Sequence, residues 1–253
     1  MAVIEMKFFS EALSLSTSAH IILPLPRHAD TAVKPLPTLL LLHGMGDDDS
    51  AWLYKTNIER YACEAGLAVI MPDGELSCYE NMAHGPDYRR YILEELPETM
   101  RRCFPLSAVR SENYIAGCSM GGFGALKLGR ASPEQWSVIG CLSAAHFEYQ
   151  PPSPRNRHML ELVYGDDLPR IEAQIEDDAR SAADKALRIW HACGDRDALK
   201  ENALRTKAFL EGIPGLNYHF EMLSGAHDWA LWDEMLRRFI AALELAPPQQ
   251  RLM

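Results

Sequence analysis

Short apolar runs alternate with longer amphipathic stretches along most of this chain. The run Thr38-Leu39-Leu40-Leu41-Leu42 is stopped by His43-Gly44, and comparable runs recur at Leu67–Met71, Asn113–Ala116, Ser137–Ser143, Leu187–Ala192 and Asn217–Met222. Runs of this length bounded by turn residues suit strands buried on both faces of a parallel sheet. Between them, Lys55–Glu64, Tyr88–Cys103, Gly121–Ala131, Leu199–Glu211 and His227–Leu243 carry helical spacing. Strand alternating with helix predicts βαβ units and a doubly wound sheet. Two further segments, Lys7–Leu13 and Ser16–Leu23, read as a leading antiparallel pair, which brings the expected strand count to eight. Pro24, Pro26, Pro35 and Pro37 mark an irregular connection behind that pair. The expectation is an α/β fold in a single domain spanning residues 1–253. The least regular region, at about 144–185, holds Pro151, Pro152 and Pro154 and is read as an insertion, either a small cap over a site or an ordinary excursion.

Composition narrows the class without naming a substrate. A chain of 253 residues, 47% hydrophobic and 24% charged, buries a large core without disulfides or a structural metal. Its formal net charge of -10 disfavours nucleic acid and anionic membranes as partners, since both need clustered Lys and Arg. The six cysteines, at 63, 78, 103, 118, 141 and 193, form no C-x-x-C pair, and several lie in apolar runs. They are expected to be buried free thiols of a reducing compartment. Residues Met1–Ser10 lack the apolar core of a secretory signal, and no run reaches the ~18 apolar residues of a membrane span. A cytoplasmic location follows as the expectation.

The strongest local signal is Gly117-Cys118-Ser119-Met120-Gly121, a G-x-S-x-G placed where a buried strand ends and a helix begins. That context is what the motif needs. The chain turns so sharply at the serine that glycines on either side avoid clashes and leave Oγ exposed above the sheet. Ser119 is therefore the candidate nucleophile, and the N–H of Met120 a candidate oxyanion donor. No G-x-G-x-x-G or Walker lysine occurs at this turn, which disfavours a nucleotide site. Cys118 is expected to point back into the sheet.

A serine hydroxyl needs a base, and histidine titrates near working pH. The last strand-like run is followed by Ser224-Gly225-Ala226-His227, which delivers His227 just before the final helix. The preceding run leads into Gly194-Asp195-Arg196-Asp197. Either aspartate suits orientation of the imidazole. Asp197 is preferred because it lies nearer the next helix, while Asp195 suits the turn or a pair with Arg196. A second oxyanion donor is expected from His43-Gly44-Met45-Gly46, with the N–H of Met45 as donor and His43 ordering the loop. Asp47-Asp48-Asp49 lacks the ligand spacing of a calcium loop and is read as a solvated stretch. Trp52, His146 and Trp229 are candidates for lining a pocket or, equally, for packing.

These blocks, together with Met71-Pro72-Asp73 and Glu95-Leu96-Pro97, closely resemble the esterase D-like family of α/β-hydrolases, nearest in type to small intracellular tributyrin or acetyl esterases. The resemblance runs over almost the whole chain. It implies the α/β-hydrolase fold, a mostly parallel eight-stranded sheet with helices on both faces and a variable cap at about 144–185. It also implies a catalytic triad of Ser119, Asp197 and His227, with Met45 and Met120 forming the oxyanion hole, and it strengthens Asp197 over Asp195. Cys118 stands where the family more often has an aliphatic residue.

The expected activity is that of a serine carboxylesterase hydrolysing short-chain acyl esters through an acyl-enzyme, with no cofactor and no metal. The same triad also serves S-formylglutathione hydrolases, feruloyl or acetyl-xylan esterases and acyltransferases. A non-catalytic, hydrolase-like binding module is the alternative of another class, disfavoured because every triad candidate is present. The expected partner is a small-molecule ester, with no nucleic acid and no membrane. Oligomeric state, including a homo-oligomer, is left open by the sequence.

Overall fold

The computed structural model describes residues 1–25, 34–144, 154–165 and 187–245. Eight strands form one sheet in the order β1-β2-β4-β3-β5-β6-β7-β8. They are β1 Ala2–Ser10, β2 Leu15–Leu23, β3 Thr38–Leu42, β4 Ala68–Pro72, β5 Asn113–Cys118, β6 Val138–Leu142, β7 Arg188–Gly194 and β8 Asn217–Leu223. β1 pairs with β2 and β2 with β4 antiparallel; every pairing from β4 to β8 is parallel. The parallel strands β3 to β6 are buried at every position, as continuous apolar runs require when helices cover both faces.

Alternate residues divide between two cores. Leu40, Leu42, Ile70, Ile115 and Ile139 pack on one face, and Leu39, Leu41, Val69, Met71 and Ala116 on the other. The first face is covered by α3 Tyr88–Arg90, α4 Leu96–Cys103, α5 Met120–Ala131, α6 Pro154–Tyr164 and α7 Lys200–Glu211. The second is covered by α1 Ala51–Lys55, α2 Ile58–Ala65 and α8 Trp229–Ala242.

Several boundaries differ from the sequence expectation, each for a physical reason. The first strand begins at Ala2, not Lys7, because the two-residue alternation of exposed Val3, Glu5, Lys7 and Phe9 already starts there. Its turn is held from afar. The Glu95 carboxylate accepts bonds from Ser10 Oγ at 2.6 Å, Glu11 N–H at 2.8 Å and Ala12 N–H at 3.0 Å. Lys55–Glu64 is not one helix but the end of α1 and most of α2, interrupted where Asn57 gives its N–H and side-chain amide to the Asp233 carboxylate. Tyr88–Cys103 is helical throughout, but α3 and α4 are joined by a π turn, Tyr91–Glu95. Pro97 is the second residue after that turn; having no N–H, it cannot continue the regular bonding ladder there.

Most of the 144–185 stretch lies outside the described residues. Its described part is helical, a feature hidden behind three prolines in the sequence. Pro154 opens α6, and Met159, Leu160, Val163 and Tyr164 supply the buried stripe.

At the C-terminal ends of β3 and β5 the backbones nearly touch. A Cβ placed on Gly121 would lie 2.5 Å from the carbonyl oxygens of both Leu42 and His43. Neither backbone can yield, so Gly121→Ala is expected to destabilise the protein by about 2–3 kcal/mol or more, read as a lowered urea midpoint.

Candidate active site

Ser119 stands between β5 and α5 with φ 53° and ψ -118°, a conformation costly for a residue with a side chain. It persists because its N–H bonds Leu142 O at 2.9 Å, its carbonyl accepts Phe123 N–H at 3.1 Å, and Gly117 and Gly121 meet backbone to backbone behind it. Its Oγ projects toward His227, the last loop residue but one before α8. Asp228, not the histidine, caps that helix by accepting Leu231 N–H at 3.0 Å, which leaves the imidazole free to turn inward. His227 Nε2 lies 3.0 Å from Ser119 Oγ. On its other side, Nδ1 lies 2.9 and 3.0 Å from the two carboxylate oxygens of Asp197. The ring rests edge-on against Trp232 at 4.9 Å between centroids.

Asp197 has no exposed side-chain surface. Burial pushes its carboxyl up, but the bond from His227, the Leu199 N–H at 2.7 Å, attraction to the imidazole and the Ser143 hydroxyl together hold it below the usual range. It is thus ionised and oriented beside the ring. Asp195 has the other role anticipated for it. Exposed, it accepts Gly225 N–H at 2.9 Å and pairs with Arg196 at 3.3 Å. With Asp195 N–H to Leu223 O at 2.8 Å and Arg196 N–H to Gly225 O at 2.9 Å, these bonds lace the acid loop to the histidine loop.

The His43–Gly46 loop lies directly beside Ser119: a Cβ on Gly44 would be 3.6 Å from Ser119 Cβ. His43 donates from Nδ1 to Gly44 O at 2.8 Å and accepts Gly74 N–H at Nε2, also at 2.8 Å. These two bonds fix its tautomer. The N–H of Met45 has no partner among the described residues, and that of Met120 opens α5 beside Ser119. Both are available to an anion at this spot, as helix starts and open loops commonly are.

Of the pocket candidates, Trp52 has no accessible surface. Its indole donates to Leu42 O at 3.0 Å and packs edge-on against Trp229 at 5.0 Å, so it buttresses the loop from behind instead of forming an open wall. Trp229 is partly exposed two residues from His227. His146 lies outside the described residues. The acidic run is not wholly solvated, because Asp49 is buried and paired with His20 of β2 at 3.0 Å. Sequence reasoning missed this pair, whose members share no local pattern. Among the described residues no group of His, Cys, Asp and Glu is arranged to hold a metal ion. No described helix is long and apolar enough to cross a membrane.

The fold and this constellation define an α/β-hydrolase with a serine at the sharp turn after β5. A model of the putative esterase family matches residues 12–243, and the chain belongs to that family. It is similar to an acetyl esterase of Caldicellulosiruptor saccharolyticus, 27% identical over 93% of this chain and 96% of that protein. Among solved structures it resembles the fluorophosphonate-binding serine hydrolase FphF of Staphylococcus aureus, with a TM-score of 0.86 and 32% identity over 96% of this chain and 98% of that one. The S-formylglutathione hydrolase FrmB of the same organism matches with a TM-score of 0.79 and 34% identity over 96% of each chain. The protein is a serine hydrolase acting on carboxylic ester bonds.

Cys118, adjacent to Ser119, is fully buried, and burial raises its thiol well above the ordinary value. Burial likewise pushes Cys78 up to about 11 and Cys193 up to about 12. Such thiols are poor nucleophiles. Iodoacetamide is expected to modify exposed Cys103 in the folded protein, spare Cys118 and leave ester hydrolysis within about twofold of its starting rate, as peptide mapping and assay of one sample would reveal.

Proposed function

We propose that this esterase removes short acyl groups, of acetyl to butyryl size, through an acyl-enzyme on Ser119. The observation that carries the reading is the unbroken line of hydrogen bonds from Ser119 Oγ through His227 to Asp197. His227 Nε2 takes the hydroxyl proton as Oγ bonds the ester carbonyl carbon. The resulting oxyanion lies between the N–H groups of Met45 and Met120. As the bond to the leaving alcohol breaks, His227 returns the proton to it. Water, deprotonated by the same imidazole, then attacks the acyl carbon and releases the acid with Ser119 restored. Asp197 holds the tautomer and stabilises the imidazolium without taking the proton.

The short-acyl preference is supported by the likeness to the acetyl esterase and by the close approach of the Gly44 loop to Ser119. A thioester reading, with S-formylglutathione as substrate, draws support from the likeness to FrmB. Six free cysteines support a cytoplasmic setting. The segment at about 144–185 interrupts the alternation of strand and helix after β6, which supports reading it as an insertion into a single domain, either a small cap over the site or an ordinary excursion.

Ser119→Ala is expected to keep the fold by circular dichroism and lose hydrolysis; undiminished turnover would sink the proposal. Asp197→Asn should lower kcat by about 10³–10⁴-fold while the protein stays folded. Because Asp197 is held below the usual carboxylate range, it stays charged beside the imidazole at neutral and mildly acidic pH. A panel of p-nitrophenyl esters of rising acyl length, run beside S-formylglutathione, separates the two substrate readings.

A further inference from the structure

The loop behind the active site, Gly74–Tyr79, carries three residues with side chains in the left-handed region: Glu75 at φ 43°, Cys78 at φ 50° and Tyr79 at φ 58°. Each costs roughly 1 kcal/mol or more and persists only where the surroundings enforce it. Here Ser77 Oγ donates to Gly74 O at 2.6 Å and accepts Tyr79 N–H at 3.0 Å. The Tyr79 ring fills a slot cut by two glycines. A Cβ on Gly74 would lie 2.3 Å from the ring, and one on Gly124 of α5 would lie 2.5 Å from it. The ring is fully buried, meets His43 edge-on at 5.9 Å and donates its hydroxyl to His43 O at 2.9 Å. Burial pushes the phenol well above its usual range, so it remains a donor at any working pH.

We propose that Tyr79 is a positioning residue for the oxyanion loop, its hydroxyl and the His43 ring together fixing the two peptide units that aim the Met45 N–H at the space beside Ser119. This rests on Met45 being an oxyanion donor, as read above. In the first unit, His43 O is held by Tyr79. In the second, Gly44 O is held by His43 Nδ1–H and, at 3.3 Å, by Asp47 N–H. A trans peptide is planar, with C=O and N–H opposed, so gripping Gly44 O on one side directs Met45 N–H to the other. His43 is itself anchored to the strained loop through Gly74 N–H. The strain is thus spent on holding one donor in place before charge develops.

Tyr79→Phe deletes the hydroxyl and keeps the ring. Its effect is read as kcat for a short ester against kcat for the matching thionoester, whose sulfur accepts hydrogen bonds poorly and gains little from oxyanion donors. The ester kcat is expected to fall about 10- to 100-fold with KM within about twofold, while thionoester turnover changes little. The ratio of the two rates is independent of how much of the sample is folded. Gly124→Ala, whose methyl would press the ring off its partner, gives a second reading and should lower the ratio likewise. Equal losses on both substrates, or no loss, overturn the role of Tyr79. A parent enzyme without preference for the ester would contradict the oxyanion reading of Met45 itself.

Discussion

The site depends on one backbone contact, that between the Ser119 turn and the ends of β3 and β6. Gly117 and Gly121 let the turn after β5 press against the carbonyls of Leu42 and His43, and the Ser119 N–H takes up Leu142 O. Any side chain at Gly121 would hold these strands apart. Because they close, the serine's positive φ is enforced rather than chosen, and its Oγ stands within reach of the His227 imidazole. The parallel register of β3, β5 and β6 carries this arrangement to the C-terminal edge of the sheet, where open α/β sheets present their ligand sites.

The second constraint lies farther along the edge. Asp195, Arg196, Leu223 and Gly225 tie the loop after β7 to the loop after β8. The distance from Asp197 to His227 is set by this lacing, so two aspartates one residue apart divide the labour. The exposed one fixes the loops, and the buried one faces the histidine. Behind the His43–Gly46 loop, Trp52 and His43 take the corresponding part, each pinning a carbonyl of Leu42 or Gly44 from the core side.

What could be read from the sequence was whatever local chemistry dictates. β3 to β8 were legible because short apolar runs end at turn residues, and the G-x-S-x-G turn because its glycines are a steric necessity. What could not be read depended on partners distant in the chain. The Glu95 cap on the first hairpin spans more than eighty residues, and the Asp233 carboxylate that separates α1 from α2 lies at the other end of the chain. The π turn before Pro97 and the α6 helix behind its prolines were masked by residues that ordinarily break helices. Asp49 looked like part of a solvated acidic loop until His20 of β2 was placed opposite it. Tyr79 carries no motif at all; only the slot between two glycines reveals its place.

The proposed reaction passes through a covalent intermediate at one hydroxyl. Acid-quenching the enzyme during turnover of a slow-leaving acyl ester, followed by mass spectrometry of its peptides, tests this most directly. The expected result is one acyl mass added to the peptide containing Ser119, confined to that residue by fragmentation and absent in His227→Ala. Continued turnover with no adduct on Ser119, or an acyl group found on Cys118, would contradict it.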